Sequence, residues 1–266
     1  MLEAEGEVSA TAAAYERAWR RFDGLLEELV GQLPVLRQPV EREAASLGPV
    51  AQRMVTACLA HAPRFITPMA AVAGAVADEI LLALCEGGDL RRAYVNNGGD
   101  IAFHLVAGEQ FRVGLATEGT SRHGHRAALE GAFEIEASMP VRGIATSGWR
   151  GRSLSLGIAD SVTVLAATGA VADAAATMVA NAVDIEHPSV RRAPASSVVD
   201  DTDLGDHLVT LGVDPLERAA IDMALDAGAA VARGLVGQGI IWGAVLLLQG
   251  RRRVVGGAGI AIEQRA

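Results

Sequence analysis

The chain predicts an α+β fold, an antiparallel or mixed β-sheet core packed by helices, on three observations. Apolar residues recur at helical spacing through the first quarter of the sequence. Short strand-length runs then follow one another from residue 92 to 167. Helices flank this block of strands instead of alternating with each one, which separates α+β from a parallel α/β sheet.

The elements follow in order. Thr11 to Leu33 reads as an amphipathic helix, with Trp19, Phe22, Leu25, Leu26, Leu29 and Val30 mostly three or four residues apart and Pro34 as its stop. Glu41 to Ala60 continues helical, open to a break at Gly48-Pro49. Met69 to Leu84 is rich in Ala, Val and Leu, with Gly74 inside, so another helix or a ligand can approach it closely. Strands are expected at 92–96, 101–106, 110–116, 132–138, 143–146 and 161–167. Phe133-Glu134-Ile135-Glu136 alternates as a half-exposed antiparallel strand does. Ala170 to Val183 reads as a helix and Glu186 to Asp206 as a long loop. Asp214 to Leu235 is a helix with Pro215 near its start. Ile240–Leu248 and Arg253–Ile262 form a closing hairpin around Gln249-Gly250. The whole is read as a single domain: a helical segment over 1–62, a core over 69–184, a loop over 186–206, and a helix and hairpin over 207–266.

Composition narrows the function classes. Half the residues are hydrophobic but only 4% are aromatic, so the core must be built from Ala, Val, Leu and Ile. The formal net charge is −9, and the one basic cluster, Arg251-Arg252-Arg253, sits beside Gly250 at a turn; nucleic acid is therefore not an expected partner. Cys58 and Cys85 are too few for a disulfide framework. The first residues are acidic, unlike a secretory signal, and no apolar run approaches the ~20 residues a membrane span needs, so a soluble cytoplasmic protein with no membrane partner is expected. The apolar stripe of the first helix needs a partner surface, in the same chain or in a homo-oligomer.

Three stretches carry chemistry. Asn96-Asn97-Gly98-Gly99-Asp100 joins two strands, and its glycines permit positive φ and exposed N–H groups. It is either a plain turn whose Asn and Asp side chains bond their own backbone, or a nest for a polar ligand. Asp100 favours a hydroxyl, a ring N–H or a metal-bridged phosphate over a bare phosphate. Asp173 and Thr177 lie four residues apart, hence on one helix face, and oxygen donors of this kind suit Mg²⁺. The alternatives are an acid favoured by the helix dipole and a threonine bonding back to a carbonyl. In Ala145-Thr146-Ser147-Gly148-Trp149-Arg150-Gly151-Arg152-Ser153 a strand ends in hydroxyls, glycines and two guanidiniums. Arg150 or Arg152 could grip a phosphate; an exposed, solvated turn is the other reading. His123-Gly124-His125 could chelate a metal or simply belong to a polar loop. Cys85, beside Glu86-Gly87-Gly88, has no flanking cation to lower its pKa.

Four motifs in order and spacing make residues 70 to 183 resemble the ApbE-like superfamily, on its shorter, uncharacterised branch. They are Ala73-Gly74-Ala75-Val76-Ala77-Asp78, Val95-Asn96-Asn97-Gly98-Gly99-Asp100-Ile101, Ala145-Thr146-Ser147-Gly148 and Ala172-Asp173-Ala174-Ala175-Ala176-Thr177. The resemblance implies an ApbE-type α+β fold and a pocket for FAD, FMN or another nucleotide. Asp78, the Asn96–Asp100 turn, Thr146, Ser147, Gly148 and Arg150 would serve it, with Mg²⁺ on Asp173 and Thr177. It further implies phosphoryl-transfer chemistry on a small-molecule or nucleotide ligand, with a protein as the acceptor of FMN. Two departures stand out. Ala73 occupies the place of the family's lysine, and no His-x-x-Asp-Pro segment follows the Thr-Ser-Gly turn, where only Asp160 could supply the acid. A non-catalytic binding or assembly protein on the same scaffold, or a sulfur-handling role through Cys58 or Cys85, is the alternative.

Overall fold

The structure is a computed structural model that describes residues 1–43, 46–88, 90–117 and 128–257. In chain order, the N-terminal elements are β1 (Leu2–Gly6), α1 (Val8–Phe22), α2 (Leu25–Val30), α3 (Leu33–Leu36), α4 (Pro49–Leu59) and α5 (Val72–Cys85). Five strands follow: β2 (Leu90–Asn97), β3 (Asp100–Leu105), β4 (Gln110–Thr117), β5 (Ala128–Glu136) and β6 (Gly143–Ser147). Then come β7 (Ser161–Ala166), α6 (Gly169–Ala182), β8 (Val190–Pro194), β9 (Leu208–Val213), α7 (Arg218–Gly237), β10 (Gly243–Leu248) and β11 (Arg251–Gly256). The expected α+β class holds.

Two compact units are present. The first comprises Met1–Glu109, Glu136–Ala145 and Leu165–Ala175, the second Gln110–Ile135, Thr146–Val164 and Ala176–Ala266. In the first unit the sheet runs β1-β2-β3-β6-β7. β1, β2, β3 and β6 are antiparallel neighbours, with Leu2 opposite Val95, Val95 opposite Ala102, and Ile101 opposite Ile144. Helix α5 packs on β2 and β3, and α1 packs on α5. Arg17 of α1 donates to the carbonyls of Ala83 and Leu84, satisfying orphan acceptors in the last turn of α5. In the second unit the sheet order is β6-β7-β10-β11, α7 packs on β10 and β11, and β8 pairs with β9 in a separate two-stranded ribbon.

Several sequence expectations need correction. The helix expected over Thr11–Leu33 is three helices, because Gly24 takes φ +83 between α1 and α2, and Pro34 sits at the start of α3 instead of ending a helix. In the stretch expected to be helical from Glu41, the helix begins only at Pro49, its first residue. β1 lies in a segment read only for its charge. β8 falls inside the expected 186–206 loop, and β9 precedes α7, which begins at Arg218, not Asp214. The polar residues Arg191, Arg192 and Thr210 hide these two strands from an apolar pattern search. The helical stretch Pro68–Cys85 also has the length and mean hydropathy, 1.7, of a membrane-crossing segment, contrary to the expectation that no such run exists. Its Ala-rich composition conceals that apolarity by eye, and half of the stretch is buried in the fold. His123 and His125 lie outside the described residues.

Candidate functional site

The Asn96–Asp100 segment is a β-hairpin turn. Asn97 pairs with Asp100, leaving Gly98 and Gly99 as a two-residue loop at φ +72 and +116, as primed hairpin turns require. Asn96 Oδ1 accepts the Gly99 N–H at 2.9 Å, so this side chain braces its own turn. Asn97 reaches out of the turn: its Nδ2 donates to the Ala73 carbonyl, 3.2 Å away, in the first turn of α5.

That first turn of α5 meets the first turn of α6 through glycines. A Cβ on Gly74 would lie 2.2 Å from the Gly169 carbonyl oxygen, and one on Gly169 would lie 2.8 Å from the Gly74 carbonyl oxygen, so only glycine permits this approach. Two aspartates span the crossing. Asp78 of α5 accepts the N–H groups of Gly169 and Ala170 at 2.8 and 2.9 Å, one on each carboxylate oxygen. Asp173 of α6 accepts the Gly74 N–H at 2.9 Å through Oδ2, and the Ala73 N–H as well. Each acid sits where unpaired N–H groups and the helix dipole favour negative charge. Asp78 is thereby committed at both oxygens to the N-terminus of α6.

Electrostatics set Asp173 apart. Burial pushes its carboxyl well above the usual carboxylate range, the nearby Asp100 pushes it further, and the backbone donors pull it back only in part. Asp78 is raised as well, by burial, against the pull of its two backbone donors and of Arg53. A half-buried acid beside a like charge is an arrangement that a cation relieves. Asp173 and Asp100 supply carboxylate oxygens, and α6 carries the hydroxyl of Thr177 one turn beyond Asp173. Such donors fit a hard divalent ion of the Mg²⁺ type. Among the described residues no three His, Cys, Asp or Glu side chains converge on one metal position, so hydroxyl, carbonyl or water oxygens would complete the shell, as Mg²⁺ tolerates.

The Thr-Ser-Gly turn belongs to the second unit. Thr146 Oγ1 and Thr163 Oγ1 share a hydrogen bond at 2.9 Å between β6 and β7. A Cβ on Gly148 would lie 2.6 Å from the Asp160 carbonyl oxygen, and Trp149 donates its N–H to the Ala159 carbonyl. Ser147 lies half-buried at the end of β6. Arg150, read as a phosphate ligand, bonds Asp160 through Nε at 2.6 Å, with its guanidinium over the Trp149 ring. Asp160 also accepts the Gln249 N–H on its second oxygen. Asp160 is thus tied into the turn by Arg150 and Gln249.

The thiols are poorly suited to chemistry. Cys58 is buried and donates to the Thr67 carbonyl, and burial drives its pKa far upward. Cys85 is also raised by burial, although Arg17 opposes this. Gly169 is a residue of the α5–α6 crossing that the sequence motifs do not single out. A signal for it exists: Gly74 precedes Asp78 by four residues just as Gly169 precedes Asp173.

Fold and site together define an α+β protein in which two helix N-termini and a Gly-Gly-Asp hairpin gather carboxylates within one unit. The chain belongs to the family described as AbpE bacteria, whose model matches residues 1–254. It is 33% identical over 208 residues to a UPF0280 protein of Methanothrix thermoacetophila, covering 74% of this chain and 81% of the relative. It is 34% identical over 189 residues to a UPF0280 protein of Methanosphaerula palustris, covering 66% and 74%. These relatives place it on the uncharacterised branch of the ApbE-like superfamily. Among solved structures it is similar to the flavin transferase ApbE from Vibrio cholerae, with a TM-score of 0.41 and 15% identity over 96% of this chain and 77% of that one. Membership rests on the family model and the sequence relatives, not on this distant likeness.

Proposed function

We propose that the protein binds a phosphorylated small molecule, with a flavin nucleotide as the leading class, through Mg²⁺ held by Asp173 and Thr177. The carrying observation is the Asp173 carboxyl, half-buried on α6, with desolvation and the nearby Asp100 both raising its pKa, as expected where a cation belongs. Mg²⁺ would supply charge neutralisation for phosphoryl transfer. The protein's own residues hold the acid in place, from Gly74 to Asp173 and from Asp78 to α6.

A second reading, binding without transfer, is favoured by two observations. Asp160 is engaged by Arg150 and Gln249, and Ala73 offers no side-chain amine where the family carries lysine.

Thermal unfolding with and without Mg²⁺, in the presence of FAD, FMN or ADP, tests the proposal. We expect a Mg²⁺-dependent rise in Tm with at least one nucleotide, following mass action at ~2.7 kcal/mol for ligand at a hundred times Kd, and its loss in Asp173→Asn. No rise with any of the three would sink the flavin reading. Release of AMP from FAD would then separate transfer from binding alone.

A further inference from the structure

We infer that Asp78 is a positioning residue for Asp173, acting through a reciprocal cap between α5 and α6. The repeat Gly-x-x-x-Asp occurs at Gly74–Asp78 and at Gly169–Asp173. Each glycine sits at the crossing, and each aspartate, one turn later, reaches over to accept N–H groups from the other helix's N-terminal turn. The geometry is a local two-fold exchange of caps. Neither helix can rotate or slide without breaking both its own acid's bonds and its partner's. Backbone contact at the glycines leaves no side chain to absorb a shift. The orientation of Asp173 is therefore set by Asp78, which binds the start of Asp173's own helix. Asp78 itself is assigned no ligand contact. Its link to metal binding rests on the proposed role of Asp173, whereas the reciprocal cap does not.

Asp78→Asn is the direct test, because an amide presents one acceptor oxygen to two N–H groups and turns an NH₂ donor toward the other. Amide hydrogen exchange is read by NMR on the metal-free, full-length protein. We expect the Gly74 amide, which bonds Asp173 and not Asp78, to exchange at least about tenfold faster in Asp78→Asn. In the converse variant, Asp173→Asn, the Gly169 and Ala170 amides should lose protection similarly. Leu225→Ala, a buried truncation in the second unit, controls for general loss of stability and should leave the Gly74 amide unchanged. Unchanged Gly74 protection in Asp78→Asn overturns the inference; if that variant does not fold, unchanged Gly169 and Ala170 protection in Asp173→Asn does so. Mg²⁺ titration of the same variants adds the functional arm. An affinity lowered about 10–100-fold in Asp78→Asn, and not in Leu225→Ala, is the expected size for a residue that orients a ligand. Wild-type protein that binds no Mg²⁺ would reject the proposed function while the exchange data still decide the reciprocal cap.

Discussion

Glu79, next to Asp78 on α5, shows how one residue holds several helices. Its carboxylate is bonded by Arg21 Nε of α1 at 2.6 Å and by Arg53 Nη1 of α4 at 3.0 Å, and Arg21 continues to Glu28 of α2. Burial works to raise the Glu79 pKa, yet the two guanidiniums outweigh it and leave the carboxyl below its usual value. A depressed folded-state pKa contributes stability that is fully present above the unfolded value, near 4.5, and is lost as pH falls through the folded one. Glu79→Gln should therefore cost about 1–3 kcal/mol at pH 7, since it removes the anion that two half-buried guanidiniums share and leaves Arg21 only Glu28. The difference from wild type should shrink below pH ~4.5. Urea unfolding of both proteins across pH 3.5–7 checks this, and a penalty that persists at acid pH would contradict it. Asp78 and Asp173 run the other way: their raised carboxyls favour the protonated fold, so their ionisation costs stability as pH rises through the folded values.

At the scale of elements, helix glycines have opposite meanings in different places. In α5, Gly74 lies against backbone, so Gly74→Ala must push α5 off α6 and should cost roughly 1–3 kcal/mol or more. In α7, Gly234 lies exposed in the last turn of the helix, and a methyl group added there would meet nothing within 4 Å. Gly234→Ala should stabilise by roughly 0.5–1 kcal/mol through helix propensity and a less free unfolded chain. Equilibrium denaturation of the two variants decides the matter, and equal effects would show that the α5–α6 approach is not as close as described. The same logic explains the broken N-terminal helix. The apolar periodicity of Trp19, Phe22, Leu26 and Val30 is helical, but Gly24 at φ +83 ends α1 and restarts the chain as α2. Along α1 and α2 these four side chains are exposed while Leu25 and Leu29 are buried, so the described residues cover only part of the stripe.

For the molecule as a whole, charge is the dominant global variable. The net charge is −9, while the buried or half-buried pairs around Glu79 and Asp222 are local. Long-range self-repulsion is screened by salt more than such close pairs are. Raising the ionic strength from about 0.02 to 0.2 M, which contracts the screening length to under ~10 Å, should raise the Tm of the metal-free protein by a few degrees. A fall in Tm on calorimetric scans would show that the surface ion pairs outweigh the repulsion. Added Mg²⁺ should exceed the effect of Na⁺ at equal ionic strength in the wild type and match it in Asp173→Asn. The family assignment is a statement at this scale too, since the family match runs through both units, from residue 1 to 254.

Legible from the residues alone are the α+β class, the hairpin turn with its two glycines, the helical face carrying Asp173 and Thr177, and the superfamily. All of these depend on local periodicity, turn chemistry or short motifs, which are written in neighbouring residues. What the acids and cations bind emerges only from the folded chain. Asp78, by motif a ligand residue, caps α6; Arg150, by pattern a free phosphate grip, is held by Asp160; and Asn96 braces its own turn. Gly169 acquires meaning only through Gly74, 95 positions earlier in the numbering and 2.2 Å away for an added Cβ. β8 and β9 are likewise invisible until they pair, because a polar two-stranded ribbon is defined by its partner strand and not by its own pattern. Partners distant in sequence are chosen by chain topology, and no local spacing records which carboxylate will meet which amide.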